Sequence, residues 1–562
     1  MWRTWLRYLT VAVELWWVAG ATNITVTGVS TGIDPKTHQR PTRRDIRELF
    51  SESGPQWDLY ILALSAFQAV DEADELSYFQ ITGIHGRPFE AWNDVENVPG
   101  APEEMGYCPH GELIFGTWHR PYLALFEQVL VSHAVNISNQ YPPNHAPAYK
   151  AAAQTLRLPF WDWATDPTVP SFTGDANITV NGPTGPTTIR NPLYSYRFQN
   201  PVPSSWGGQL STYQETSRCM GTDGSVNNMT KSNLSMMTVG FKLKTSVYDA
   251  FIRSTRFEDV ACTDCGGPNF EDPHSTVHTT VGCGGTMADI VLSAFDPLFM
   301  LHHCNVDRLF AMWQAINYKD TMFERTSTSY GQFGTPGGSK ITRDSPLKPF
   351  RADPLTFHTS DLVTNISTFG YTYPEIYDWD TSPDQSRAFV ITQVNMLYGP
   401  NSTYDRTKSF PYPQKHPSEA SGLVDTQQYY VAQVQLDRAE IPLPAVVGLV
   451  INGTTVGSLA LLAMPSYGNV STSVTIQDPR LAGLVDVNID SKAATSVLQQ
   501  GLAVEILHNG ETEVPVNTVP SLKVELQAIE YTPNTEKSQF PRLGNVTRLP
   551  IAIRPVASKF YR

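Results

Sequence analysis

Seven of the thirteen histidines in this 562-residue chain fall in two short windows. His85, His110 and His119 lie in one, and His274, His278, His302 and His303 in the other. An even spread would put only about one or two there. Imidazole suits zinc, copper, iron and nickel, and the usual affinity order favours copper. Two sets of at least three imidazoles, distant in sequence, imply two adjacent metal ions, each held by one set.

The ligands need rigid elements. His274 and His278 are four apart, which puts them on one helix face about a turn from each other. Asp272-Pro273 before them reads as an N-cap followed by a proline at the first helical position. Asp296-Pro297 reads the same way for a second helix, on which Phe299, His303 and Asp307 recur every four residues. His85 sits where a helical pattern runs out in Gly-Arg-Pro, His110 in a Pro/Gly loop, and His119 at the opening of an apolar helix through Leu123, Phe126 and Leu130. Each imidazole must stay deprotonated at one nitrogen to bind metal, so binding is expected to weaken below about pH 6.

Longer pieces carry more. They are His85-Gly-Arg-Pro-Phe89, Cys108-Pro-His110, Trp118-His-Arg-Pro-Tyr122, Pro159-Phe-Trp-Asp-Trp163 and Glu271-Asp-Pro-His-Ser-Thr-Val-His278. To these are added Asp296-Pro-Leu-Phe-Met-Leu-His-His303, Asn305-Val-Asp-Arg308 and Thr368-Phe-Gly-Tyr-Thr-Tyr-Pro-Glu375. Together, over roughly residues 23 to 398, they resemble fungal tyrosinases, the type 3 copper group that also holds catechol oxidases and oxygen-carrying hemocyanins.

The resemblance implies a four-helix bundle with metal ligands in its core and two copper ions. His85, His110 and His119 would hold the first, and His274, His278 and His303 the second. His302 would be their neighbour. It implies a thioether between Cys108 and His110, a role for Glu271 in deprotonating a phenol, and Phe299 as a gate over the second copper. Asp307 would support the ligands. Many members that hydroxylate monophenols carry Asn where this chain has Ser275, and Thr279 follows the other ligand of that helix. Diphenol oxidation is therefore the safer expectation. Gly285-Thr-Met287 also departs from relatives.

The formal charge of −14 argues against nucleic acid or an anionic membrane surface as a partner. Residues 1–21 read as a signal peptide: Arg3 and Arg7, a short apolar stretch, then Ala19-Gly-Ala21. Glu14 interrupts the stretch, which leaves an uncleaved anchor as the alternative. No other segment is apolar enough to span a membrane. Ten Asn-x-Ser/Thr sequons, from Asn23 to Asn545, fit a secreted glycoprotein. With Cys108 and Cys304 set aside, Cys219, Cys262, Cys265 and Cys283 allow two disulfides in three pairings. Cys262-Thr-Asp-Cys265 reads as a clamp near the second metal.

Residues 22–400 form the expected copper-binding domain, strand-like over 22–45 and helical to about 320. A Pro-rich linker follows at 401–426. From 427 to 562 the pattern turns to short alternating segments, 429–436, 445–451, 504–507 and 522–526, which suggest a β-sandwich. By resemblance it would be a lid over the metals.

Three function classes stay open. One is a secreted copper oxidase of small phenols with O2, in pigment or secondary-metabolite formation. The second is a redox-neutral, zinc-loaded enzyme on the same scaffold. The third is a hemocyanin-like O2 binder.

Overall fold

The computed structural model describes residues 23–221, 225–400, 402, 427–480, 482–486 and 490–551. The expected signal peptide and most of the expected linker lie outside them.

Six helices build the metal-bearing core: α1 (Pro55–Gln68), α2 (Tyr78–Gly83), α3 (Phe115–Ser138), α4 (Met229–Arg253), α5 (Glu271–Gly282) and α6 (Leu298–Ile316). Helix α3 packs on α1 and α6, and α5 packs on α4 and α6. All but one of the nineteen residues of α6 are buried, so it is a core helix rather than a surface one, although it carries His302, His303, Asp307 and Arg308. Trp118, Trp161, Trp163 and Trp313 are almost fully buried in the surrounding core.

Three helix starts differ from the sequence reading. Helix α3 begins at Phe115, a turn before His119, and α5 begins at Glu271, ahead of Asp272. The cap position of α5 is Phe270, which has no capping side chain, and Asn269 Oδ1, one residue earlier, accepts the Asp272 amide at 2.8 Å. The free amides of the first turn take the nearest side-chain oxygen, and Asn269 reaches them from outside the helix. Helix α6 starts at Leu298 rather than Pro297, yet Asp296 Oδ1 accepts the Leu298 amide at 2.9 Å.

The segment expected as strand-like over 22–45 forms only isolated bridges, Thr25 with Arg351, Thr42 with Thr372 and Asp45 with Phe160. It is extended, but its neighbours are loops, so no ladder propagates.

The C-terminal domain is two antiparallel four-stranded sheets. Its strands are β1 (Gln427–Asp437), β2 (Ala445–Ile451), β3 (Thr454–Leu461), β4 (Asn469–Ile476), β5 (Ala503–His508), β6 (Thr512–Glu513), β7 (Lys523–Thr532) and β8 (Arg542–Leu549). The sheet orders are β6-β5-β2-β3 and β8-β7-β1-β4. Both sheets feed one apolar core, with Ala432, Leu449, Ile506 and Leu526 at its centre. The sequence reading located β1, β2, β5 and β7 but not β3, β4, β6 or β8.

This domain sits on the core through β3 and β4. The Ala460 amide bonds Asp272 Oδ1 at 3.3 Å. The Gly266 amide bonds the Ser471 carbonyl at 2.8 Å, and Asn269 Nδ2 bonds Thr472 Oγ1 at 2.9 Å. The disulfides are Cys219–Cys283 and Cys262–Cys265, while Cys108 and Cys304 are free and buried.

Candidate metal centre

His85 follows α2, His110 sits in the loop before α3, and His119 is the fifth residue of α3. A helix carbonyl orients His119: its Nδ1 lies 2.8 Å from Phe115 O. That bond puts the proton on Nδ1 and leaves Nε2 free as a ligand. The potential ligand atoms of His85, Cys108, His110 and His119 all lie within 4.8 Å of one another. Cys108 Sγ is 3.6 Å from His110 Nδ1 and 3.7 Å from its Nε2. It is thus nearly equidistant from the two nitrogens that flank Cε1.

The second group draws on two helices. His274 and His278 share a face of α5, and His302 and His303 come from α6. His303 Nε2 lies 3.2 Å from Nε2 of both His274 and His278. The Met287 carbonyl accepts from His278 Nδ1 at 2.9 Å, fixing that ring as Phe115 fixes His119. His302 belongs to the same group within 4.8 Å, stacked on His274 with centroids 5.1 Å apart. Its two nitrogens have no hydrogen-bond partner. The two groups face each other, with His119 stacked on His303 at 4.3 Å between centroids.

These rings suit metal. Burial, and then the repulsion of neighbouring imidazoles, holds His85, His110, His274, His302 and His303 well below the ordinary value. Burial also takes His119 to about 3 and His278 to about 4, against the pull of their carbonyl partners. Both nitrogens of His85 and Nδ1 of His303 are buried without a partner. Unpaired buried nitrogens are costly, and a cation facing neutral lone pairs removes that cost. Proton competition therefore sets in lower than the pH 6 expected of exposed imidazole.

Glu271 links the groups. Its Oε1 accepts the Gly111 amide at 2.7 Å, beside His110, and its Oε2 accepts the Thr263 amide at 2.8 Å. Burial raises its pKa to about 7 against these bonds. Gly111 has φ +70°, and a Cβ there would meet Asp264 Oδ2 at 2.9 Å, so glycine is needed for both conformation and space. Phe299 is fully buried against His303 and His85. Ser275 Oγ lies 3.5 Å from His274 Nδ1.

Asp307 stands apart from the rings. It accepts from Arg120 Nε at 2.7 Å, Arg43 Nη1 at 3.3 Å, Tyr371 at 2.6 Å and Tyr373 at 2.7 Å. Sequence reasoning missed Phe115, Gly111, Thr263 and Met287. All four act through backbone groups, which leave no mark in residue type; the departure at Gly285-Thr-Met287 was the only hint.

Comparison with known proteins bears on the same region. Residues 75–316 match the family model for the common central domain of tyrosinase. Tyrosinase from Podospora anserina is 36% identical over 405 residues, 67% of this chain and 70% of that protein. Tyrosinase from Neurospora crassa is 33% identical over 447 residues, 73% of this chain but 64% of that protein. Among solved structures, latent and active mushroom tyrosinase aligns with a TM-score of 0.79 at 22% identity, covering 95% of this chain and all of that one. Aspergillus oryzae pro-tyrosinase aligns at 0.70 and 20%, over 96% of this chain and 99% of that one.

Proposed function

The chain belongs to the tyrosinase family, and from that premise we infer that it is a copper-dependent oxidase taking small phenols, catechols first, to o-quinones with O2. The observation that carries this reading is the pair of facing, buried, neutral imidazole groups. His85, His110 and His119 would hold one copper, and His274, His278 and His303 the other. Bound there, copper would supply the electron exchange between substrate and O2, two catechols and one O2 giving two quinones and two waters.

The chain's own residues do the rest. The Phe115 and Met287 carbonyls keep His119 and His278 in the tautomer that offers Nε2. Convergence of His303, rather than His302, on the other two Nε2 atoms favours His303 as ligand. Phe299 would exclude water and limit entry. Glu271, buried and fixed on both oxygens, would accept a proton from the bound phenol. Ser275 is shorter than Asn and reaches less far, which favours diphenols over monophenols. Cys108, beside His110, would form the thioether. The β-domain would act as the lid, joined through 401–426. Secretion stays an expectation; among the described residues no helix is long and apolar enough to cross a membrane.

The test is metal analysis of the purified chain with O2 uptake on catechol. Two coppers per chain and catechol-dependent uptake support the reading. Stoichiometric zinc, or two coppers with no uptake after the β-domain is loosened by mild detergent, would overturn it.

A further inference from the structure

The β-domain does more than lie over the core. Arg438, on the 3-10 turn Arg438–Glu440 that follows β1, reaches the turn closed by Cys262–Cys265. Its Nη1 bonds Asp264 Oδ2 at 2.8 Å and its Nη2 bonds Thr263 Oγ1 at 3.1 Å. Arg438 and Asp264 side chains are 4% and 9% exposed, so this pair is screened little by solvent.

Thr263 has one hydroxyl proton and two carboxylates within reach. Glu271 Oε2 is 3.2 Å from its Oγ1, and Asp264 Oδ1 is 3.3 Å away. Arg438 resolves the competition. It donates to Oγ1, which occupies a lone pair, and it neutralises Asp264, which weakens that carboxylate as a rival acceptor. The proton is left for Glu271. Glu271 Oε2 then holds both the amide and the hydroxyl of Thr263, while Oε1 holds the Gly111 amide.

We propose that Thr263 is a positioning residue for Glu271 and that Arg438, supplied by the β-domain, sets it. Docking of that domain then orders the carboxylate against Thr263 and Gly111, the latter next to His110 in the chain. The link to turnover rests on the role given to Glu271 above. The relay itself does not.

Hydrogen exchange on the metal-free full chain, read at single amides, separates the two. Thr263→Val removes only the hydroxyl. It is expected to speed exchange at Gly111, whose acceptor is the far oxygen of Glu271, by about tenfold or more. Thr263→Ser restores the protection. Arg438→Met is expected to speed both Gly111 and Thr263, with Gly266, bonded to Ser471 O, reporting domain docking. If Thr263→Val leaves Gly111 protected, or Arg438→Met speeds Gly266 alone, Arg438 is a docking bond only and the proposal falls. With copper loaded, Thr263→Val is expected to lower kcat on a catechol while KM stays within about twofold, since a positioning group acts on the reacting geometry. Faster exchange with unchanged kcat would remove the role of Glu271 and leave the relay standing.

Discussion

The ring of Phe299 lies against that of His303, with centroids 4.0 Å apart and planes 24° from parallel. One turn of α6 would thus supply both a ligand and the wall beside it. Phe299→Ala is expected to cost about 3–5 kcal/mol of stability, because the site is fully enclosed and cannot collapse. It should also lower KM for bulky catechols by opening the approach. Urea unfolding and a substrate size series check the two parts separately, and an unchanged size preference would end the gate assignment.

His303 and His302 are adjacent but differ in geometry, since only His303 Nε2 meets the other two Nε2 atoms. His303→Ala should leave about one copper per chain and lower catechol oxidation by at least about a hundredfold. His302→Ala should keep both coppers and lose on the order of tenfold, as supporting groups do. The reverse pattern would exchange their roles.

The buried histidines predict how the metal-free chain responds to acid. In the unfolded chain these imidazoles take protons near 6.5. In the folded chain burial delays this to about 4 for His278 and about 3 for His119. Between those values the unfolded state binds more protons, so stability falls as pH drops. The loss begins below about 6.5 and continues through the folded values. Urea midpoints of the metal-free chain at about pH 7.5, 6 and 5 should decline in that order. A flat profile would mean that the rings are solvated.

Asp307 is paired with Arg43 and Arg120 and bonded by Tyr371 and Tyr373. Removing its charge takes from buried Arg120 its carboxylate partner, while Arg43 keeps Glu127 at 2.9 Å. Asp307→Asn should therefore cost about 3–5 kcal/mol. The surviving folded fraction should bind copper normally, measured as metal content after removal of aggregates.

Peptide mapping of the mature chain tests the thioether. A Cys108–His110 peptide lighter by two hydrogen atoms and resistant to alkylation is expected. An alkylated Cys108 would rule the bond out.

How much of this was written in the chain depends on distance along it. The i, i+4 pair His274 and His278 and the row Phe299, His303, Asp307 follow from helical spacing alone, and both helices exist. Helix starts were less legible, because capping depends on which oxygen arrives from outside: Asn269 for α5, rather than Asp272. In the β-domain, Ala445–Ile451 was found to the residue, being a continuous apolar run. Thr454–Leu461 and Asn469–Ile476 were missed, since Gly457 interrupts one and Ser and Thr fill most outward and some inward positions of the other. Arg438 stands 174 residues from Asp264, and nothing local announces such a meeting.

The Cys262–Cys265 turn has a bearing on where the protein can be made. The two residues inside that ring are Thr263, which bonds both Glu271 and Arg438, and Asp264, which pairs with Arg438. Thiols stay reduced in a cytosol and pair in secretory compartments. An expression host that keeps the chain in its cytosol would deliver histidines in place beside an unfastened turn. Copper content alone would then overstate the yield of properly assembled protein, and counting free thiols before any kinetic comparison guards against this.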